Sequence, residues 1–257
     1  MTGVPILMYH QVAPDTAPAF RKYCVTPAAF RSQIRWLSRT GYSAIDLDTL
    51  LEARAGLAAL PPRPVVITFD DGFQDCVDYA VPVLLEYGMT AIMYLVTGLV
   101  GHVSTWLQAE RGVQFPLMDW ATARRLEAAG FRCESHAVSH PRLPELGIEA
   151  CRRELADSRT ALEEQLSRPI THLAYPFGSV DDQVRLVAAE CGYRSACTTR
   201  IGLSPAGDDP LALQRVPITG SDSLLDFAVR LRTAHTPAEL VTGKVAAAAA
   251  LLSWRAQ

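Results

Sequence analysis

The chain has 257 residues, of which 49% are hydrophobic and 20% are charged, and its formal net charge is −3. This length and composition can bury one large core, and they favour a single domain over residues 1–257. Lysines and arginines are scattered instead of forming a basic stripe, so no nucleic acid is expected as a partner.

The cysteines and the N-terminal stretch indicate a compartment. The six cysteines form neither a CxxC pair nor a compact framework, so we expect free thiols in a reducing environment. The start, MTGVPILMYHQ, lacks the positive region and the apolar length of a signal peptide. No stretch approaches the ~20 apolar residues of a transmembrane helix. These features predict a cytoplasmic protein without a transmembrane segment, and they leave the oligomeric state open.

Short apolar runs alternate with longer helical patterns, an order typical of βα units around a parallel sheet. The predicted strands are 5–10, 42–47, 64–70, 91–96, 131–136, 172–177, 194–199 and 214–218. The predicted helices are 27–40, 75–87, 119–129, 146–167, 180–191 and 222–234. A capping box at 236–239 begins a final alanine-rich helix that extends to about residue 255 and packs on the exterior. The pattern predicts an α/β barrel, with an open doubly wound sheet as the alternative.

Chemistry in such a barrel is expected at the carboxyl ends of the strands. The residues that end four of the predicted strands are His10, the pair Asp70 and Asp71, His136, and the pair Pro176 and Phe177. Polar or unusual residues from four strands therefore meet at one rim.

Asp70 and Asp71 follow the apolar run VVITF and precede Gly72. Asp-Gly is also a common surface turn. However, an apolar run without alternation belongs to a strand covered on both faces, so its end lies over the sheet. Adjacent carboxylates repel each other there, and an arrangement that keeps both ionised includes a cation or gives them different roles.

His136 and His140 are four residues apart, a spacing that lets two imidazoles face one divalent metal ion. Because Pro141 disfavours helix at the residue before it, we expect one irregular turn. Two unconnected loop histidines are the alternative. With a carboxylate from another strand, the pair supplies two nitrogens and one oxygen, a set that leaves positions open for water and substrate.

Two further stretches are ambiguous by themselves. Tyr175-Pro176-Phe177-Gly178 ends a strand with a bend and could equally be core packing. His10 follows the apolar run ILMY, where a single histidine is commonly structural.

Together these residues resemble the polysaccharide deacetylases of carbohydrate esterase family four. TFDDG at 68–72 and HAVSH at 136–140 match the first two motifs of that family, and similarity extends from residue 4 to about 220. The resemblance implies a distorted (β/α)7-8 barrel and a metal-dependent N-deacetylase. At matching positions, Asp70 would be the general base, and Asp71, His136 and His140 would be the metal ligands.

The chain departs from the family pattern at three places. Ala174 stands where the third motif begins with arginine, Ala137 stands where a hydroxyl is usual, and the C-terminal histidine motif is absent. The circularly permuted poly-β-1,6-N-acetylglucosamine deacetylases place that histidine in an N-terminal Met-Tyr-His, which residues 8–10 match. His10 is therefore the expected general acid, ahead of His235, and Arg215 is the candidate to hold Asp70.

The resemblance implies hydrolysis of the acetamide of N-acetylglucosamine-type sugars, in a polysaccharide or its precursor, with release of acetate. One divalent ion, with zinc first and iron, cobalt or nickel as alternatives, would polarise the acetyl oxygen and acidify a water. Asp70 would take the proton, the Phe177 N–H would stabilise the oxyanion, and His10 would protonate the leaving nitrogen. The predicted carbohydrate contacts are Phe73, Leu143, Tyr175, Pro176 and Arg215, with Trp106 and Trp120 as further aromatic candidates.

Other functions stay open at the level of sequence. The same fold could serve a hydrolase of a small amide, a cyclic imide or a non-polymeric acetylated sugar, because fold does not determine substrate. An inactive carbohydrate-binding protein and a metal-free mechanism are further alternatives. Since polysaccharides of this family are usually extracellular and no export signal is visible, either the start is truncated or the substrate is a cytoplasmic precursor.

Overall fold

A computed structural model describes residues 3–242. Its strands are β1 (Ile6–Tyr9), β2 (Gln11–Val12), β3 (Cys24–Val25), β4 (Ser43–Ala44), β5 (Pro64–Phe69), β6 (Ile92–Leu95), β7 (Arg132–Ser135), β8 (His172–Ala174), β9 (Ser195–Ile201) and β10 (Leu213–Pro217). Its α-helices are α1 (Pro27–Arg39), α2 (Leu47–Arg54), α3 (Val81–Glu86), α4 (Thr105–Arg111), α5 (Trp120–Ala128), α6 (Ile148–Leu166), α7 (Asp182–Glu190) and α8 (Leu224–Thr233).

Seven parallel strands form a closed barrel in the order β1-β10-β9-β8-β7-β6-β5, and β5 pairs with β1 to complete it. This closure confirms the barrel and excludes the open sheet. β4 pairs with the start of β5, while β2 and β3 form a separate small sheet. Because Tyr9 of β1 lies opposite Phe69 of β5, the next residues, His10 and Asp70, leave the barrel side by side.

The apolar run of β5 explains why this strand lies in the wall of the barrel. Val66 belongs to the interior cluster with Ile6 and Ile92, whereas Val65 and Ile67 face the outer layer that the helices cover. Each such fully buried side chain contributes about 1.5–3 kcal/mol relative to an exposed one. Burial of both faces therefore fixes the point where β5 ends and the two aspartates begin.

Two short helices were not predicted. Asp46 caps α2 by accepting a hydrogen bond from Thr49 N. Because α2 begins there, the predicted strand 42–47 is shortened to the two residues of β4. Leu47 and Leu50 of α2 join the interior cluster. The other unpredicted helix, α4, has seven residues, too few for a clear helical period.

The predicted helix 75–87 begins differently from expectation. Residues Cys76–Ala80 form a π-helical turn, and α3 follows it with Pro82 in its first turn. Proline has no N–H and clashes with the preceding turn, so a wider turn before it is the physical reason for the difference.

The final predicted helix is described only at its start. Thr236 and Glu239 exchange the two hydrogen bonds of the capping box, and residues 237–242 are helical. The remainder of this prediction, to residue 255, lies outside the described residues. All six cysteines are free, as expected. Within residues 3–242 no helix is both long and apolar enough to cross a bilayer.

Candidate metal-dependent active site

The turn after β5 separates the two adjacent carboxylates. Asp71 and Gly72 both have φ of 75°, a left-handed conformation that is uncommon for a residue with a side chain. A Cβ at Gly72 would also lie 2.9 Å from the Leu95 side chain. The turn therefore needs glycine at 72, and it directs Asp70 and Asp71 toward different partners.

Asp71 faces both predicted ligand histidines. Its Oδ1 lies 3.4 Å from Nε2 of His136 and 3.2 Å from Nε2 of His140. One ligand atom from each of the three buried residues lies within 4.8 Å of the others. Ligand atoms bonded tetrahedrally to zinc at ~2.0–2.1 Å are separated by ~3.4 Å. The spacing of Asp71 from the two imidazoles thus fits a single divalent ion.

Neighbouring groups orient the two imidazoles. Nδ1 of His136 donates to the Ala174 carbonyl at 2.6 Å, which leaves the Nε2 lone pair directed at the site. The His140 ring stacks on Trp106 at 4.6 Å and meets the Phe177 ring edge-on at 4.5 Å. In the part of the chain that the structure describes, Nδ1 of His140 is buried without a hydrogen-bond partner. His136 is thus oriented by a hydrogen bond, whereas His140 is oriented by its ring contacts.

The loop between the histidines is an irregular turn, as the sequence predicted. Ala137 and His140 both have φ of 62°. Glu154 of α6 accepts hydrogen bonds from the backbone N–H groups of Val138 and Ser139 at 2.8 and 2.9 Å, and from the Ser139 hydroxyl at 2.7 Å. Glu154 thereby fixes the loop that brings the two imidazoles together.

Charges in the site keep Asp71 ionised. Burial by itself would raise the pKa of Asp71, but the adjacent imidazoles of His136 and His140 hold that pKa well below its usual range. For His136, burial is outweighed by Asp71 and Asp70, and the pKa is raised. For His140, burial prevails and the pKa is lowered. A divalent ion would need this ionised carboxylate together with both imidazoles in their neutral form.

Asp70 is held by an arginine from β10, which is separated from β5 only by β1. Arg215 of β10 donates from Nη1 to Oδ1 at 2.7 Å and from Nη2 to Oδ2 at 2.6 Å. Its Nε also donates to the Thr198 carbonyl at 2.9 Å. Burial would raise the pKa of Asp70, but the guanidinium lowers it below its ordinary value. This contact is the one predicted for Arg215, in place of the arginine missing at Ala174.

His10 lies on the same side of the barrel as the carboxylates. Asp70 N donates to the carbonyl of Tyr9, the residue before His10, at 3.0 Å. Burial lowers the pKa of His10, although the charges of Asp71 and Asp70 act in the opposite direction. His235 is elsewhere, on the surface after α8, with Nδ1 3.9 Å from Glu239. The structure therefore brings His10, and not His235, to the carboxylates.

Phe177 lies in a tight turn of residues Pro176–Gly178 after β8, with φ of 58°. Its ring contacts His140 on one side, and the guanidinium of Arg142 lies 4.0 Å from its centroid. A Cβ at Gly178 would lie 2.5 Å from Thr199 N, so glycine is needed for this close approach to β9.

Comparison with known proteins agrees with this geometry. The family model described as polysaccharide deacetylase matches residues 58–196, more than half of the chain. The chain belongs to the polysaccharide deacetylase family. It is thus a hydrolase that acts on carbon–nitrogen bonds other than peptide bonds, in the barrel fold described above.

Individual relatives differ in how much of their length is matched. YxkH of Bacillus subtilis (strain 168), a polysaccharide deacetylase-like protein, is 27% identical over 221 residues, which cover 84% of this chain and 71% of YxkH. The poly-beta-1,6-N-acetyl-D-glucosamine N-deacetylase of Escherichia coli (strain K12) is 32% identical over 115 residues, covering 44% of this chain and only 16% of that protein. The structure of the Streptococcus pyogenes deacetylase PplD in complex with acetate has a TM-score of 0.78 and 25% identity, over 90% of this chain and 98% of that chain.

Four of the residues predicted to contact carbohydrate in this deacetylase are fully buried. Phe73, Leu143 and Tyr175 have 0% exposure, and the Tyr175 hydroxyl donates to Leu211 O at 2.9 Å. Arg215 is also fully buried and is occupied with Asp70. The structure contradicts direct sugar contact by these four residues, because no surface of theirs is open to a ligand.

The other residues predicted to contact carbohydrate are Pro176, Trp106 and Trp120, and they lie in different places. Pro176 is buried in the turn beside Phe177. Trp106 covers the His140 ring, whereas Trp120 packs at the start of α5 against the outer core. Sequence reasoning missed Glu154 and Glu110, two acids on helices. Nothing in the sequence distinguishes them from ordinary solvated acids, since their partners come from distant segments.

Proposed function

We propose that this chain is a metal-dependent N-deacetylase that hydrolyses the acetamide of N-acetylglucosamine-type sugars, in a polysaccharide or its precursor, and releases acetate. One observation carries the proposal. Two adjacent buried carboxylates have separate partners: Asp71 faces the imidazoles of His136 and His140, while Asp70 is paired with Arg215. Asp71 is thereby available as a metal ligand, and the adjacent Asp70 is available as a general base.

Asp71, His136 and His140 would hold the metal ion. Two nitrogens and one oxygen suit zinc first, and iron, cobalt or nickel also accept this set. When bound, such an ion supplies Lewis acidity toward the acetyl oxygen and lowers the pKa of a water.

Asp70 is the proposed general base. Arg215 occupies one lone pair on each carboxylate oxygen, so each oxygen keeps another with which to accept a proton. The bidentate contact also fixes the carboxylate plane. Asp70 can therefore stay ionised in a buried site and take the proton of the attacking water.

His10 is the proposed general acid. Burial lowers its pKa and so makes its imidazolium a stronger acid, while the charges of Asp71 and Asp70 favour the protonated form. Transfer of that proton to the sugar nitrogen turns a poor leaving group into an amine. The backbone N–H of Phe177 is the proposed donor to the developing oxyanion.

The substrate class rests on the relatives. The matched proteins of Escherichia coli, Staphylococcus epidermidis and Staphylococcus aureus are named poly-beta-1,6-N-acetyl-D-glucosamine N-deacetylases. Because the matches cover 16% to 62% of those proteins, the chain length and linkage of the substrate are left to experiment.

The deciding experiment measures acetate release from β-1,6-linked N-acetylglucosamine oligomers and from the monosaccharide, with and without a chelator. We expect release that chelation abolishes and added zinc restores. His136→Ala should bind less than ~0.1 equivalent of metal, because a three-residue site loses most of its affinity with one ligand. His235→Ala, the matched control, should retain one equivalent. Chelator-insensitive release, or full metal content in His136→Ala, would refute the proposal.

A further inference from the structure

Phe177 has a backbone conformation that needs external support. Its φ of 58° and ψ of 5° are left-handed, and it is not a glycine. Non-glycine residues stay in this region only where surrounding contacts hold them. Backbone hydrogen bonds from Gly178 N to the Tyr175 carbonyl and from Ser179 N to the Pro176 carbonyl close the turn, and the contacts of the Phe177 ring are its side-chain support.

The Phe177 ring contacts two other side chains. The His140 imidazole meets it at 4.5 Å with an interplanar angle of 73°. The Arg142 guanidinium lies 4.0 Å from the ring centroid, well inside the ~6 Å range of cation–π attraction. A planar guanidinium can stack on an aromatic face, whereas an ammonium acts only as a point charge.

Arg142 is anchored in turn by α4. Its Nη2 donates to Oε1 of Glu110 at 3.0 Å. The same helix carries Trp106, which stacks on His140. At the start of α4 the buried Ser104 hydroxyl accepts from Phe115 N at 2.9 Å. One short helix thus supports a proposed metal ligand directly, and supports Phe177 through the pair Glu110 and Arg142.

We propose that Arg142 is a positioning residue for Phe177. Its guanidinium, anchored by Glu110, keeps the Phe177 ring against His140 and thereby keeps the Phe177 N–H directed at the acetyl oxygen. This inference rests on the proposed deacetylase function for the purpose of that N–H. The clamp itself, from Glu110 through Arg142 to the Phe177 backbone, can be tested without turnover.

The kinetic test compares Arg142→Met with Arg31→Met. Methionine keeps the length of the side chain and removes the charge and the planar group. Arg31 forms a similar surface ion pair with Glu86 on another face, and its side chain is 47% exposed against 41% for Arg142. We expect kcat of Arg142→Met to fall about tenfold, part of the loss seen when an oxyanion donor is removed, with KM within about twofold. Arg31→Met should match the wild type.

Two conservative variants sharpen the comparison. Arg142→Lys keeps the charge over the ring but loses the planar group, so its kcat should fall only about threefold. Glu110→Gln keeps Arg142 and weakens its anchor, and a loss of similar size is expected. Melting temperature and metal content should equal those of the wild type in all four variants.

A second measurement follows the Phe177 amide directly. With only eight phenylalanines in the chain, a spectrum of protein labelled with ¹⁵N-phenylalanine is sparse, and Phe177→Leu identifies the Phe177 signal. We expect this signal to shift or broaden in Arg142→Met and to stay unchanged in Arg31→Met. If the wild type released no acetate, the proposed function would fail and this measurement would still decide whether Arg142 positions Phe177.

Three results would overturn the positioning role. The first is the absence of an effect of Arg142→Met, seen either as an unchanged Phe177 amide signal or as a kcat equal to that of Arg31→Met. The second is a rise in KM alone, which would make Arg142 a substrate contact. The third is a fall in kcat that follows lost metal, which would place the effect at His140.

Discussion

Two buried clusters of charged residues in this protein contain similar residue types but differ in how their polar atoms are bonded. The rim cluster consists of His10, Asp70, Asp71, His136, His140 and Arg215. The Arg168 cluster consists of Glu127, Glu134 and Arg168 and lies where β8 begins. In the Arg168 cluster, Glu134 accepts from Arg168 at 2.8 Å and from His172 N at 2.9 Å, and Glu127 accepts from Arg168 twice and from Cys133 N.

The clusters differ in how the protein satisfies their polar atoms. Both acids of the Arg168 cluster are saturated by donors from arginine and backbone. At the rim, Asp71 faces two imidazoles whose Nε2 atoms converge on one oxygen, and Nδ1 of His140, among the described residues, has no partner. A saturated cluster stabilises the fold, whereas a convergent, unsaturated one is suited to a ligand.

The backbone differs in the same way. Four residues of the rim region that are not glycine have positive φ: Asp71, Ala137, His140 and Phe177. Each such residue costs on the order of 1–3 kcal/mol and persists only where its surroundings enforce it. Strain concentrated where the proposed ligands and the proposed oxyanion donor lie indicates that this part of the barrel is shaped by function more than by stability.

The largest contrast should come from neutralising one carboxylate in each cluster. Asp70→Asn should lower kcat about 10³-fold with full metal content, because it removes the base and leaves the ligands in place. Glu134→Gln makes the same chemical change beside Arg168 and should leave kcat within about twofold. Acetate release and elemental analysis of both variants would test this, and substantial turnover by Asp70→Asn would disprove its role.

Replacing the arginine of each cluster should lower the free energy of unfolding by different amounts. Arg215→Met leaves Asp70 buried without its partner and should lower the free energy of unfolding by about 3–5 kcal/mol. Arg168→Met should cost less, about 2 kcal/mol, because backbone N–H groups still bind Glu134 and Arg168 is partly exposed. Urea unfolding gives both values. Adding Asp70→Asn to Arg215→Met should recover part of the loss; no recovery would mean that the pair is not its origin.

The smallest effect concerns Asp75, a carboxylate near the rim that is saturated like those of the Arg168 cluster. Gln11 and the Val12 N–H donate to it, and burial raises its pKa to about 6. Because the unfolded pKa is ~3.9, its neutral form stabilises the fold fully below pH ~4, and this contribution is lost as pH rises through 6.

Asp75→Asn therefore gives a pH-dependent comparison. Relative to this variant, the wild type should lose roughly 2 kcal/mol of unfolding free energy between pH 4 and pH 7. Urea unfolding of both proteins across this range measures the difference. A constant difference would show that Asp75 titrates normally in the folded state.

The sequence determined the parts of this protein that local chemistry controls. Apolar runs such as VVITF determined the strands, the capping box at 236–239 marked a helix start, and the DDG and HAVSH stretches indicated a two-histidine, one-carboxylate site. The resemblance to a family added roles for Asp70 and His10 that spacing alone does not give. The short helices α2 and α4 escaped prediction because they carry too few residues to show a period.

Tertiary structure decided which distant residues share the site. Arg215 is 145 residues from Asp70 along the chain, and only the closed order of strands brings β10 to β1 and β1 to β5. Likewise Glu154, Glu110 and Arg142 acquire their partners through the packing of α4 and α6, and Tyr175 becomes core because helices cover the outer layer in which its side chain lies. Sequence patterns reflect local periodicity and composition. These contacts depend instead on which strands pair and in what register, and that pairing is set only when the barrel closes.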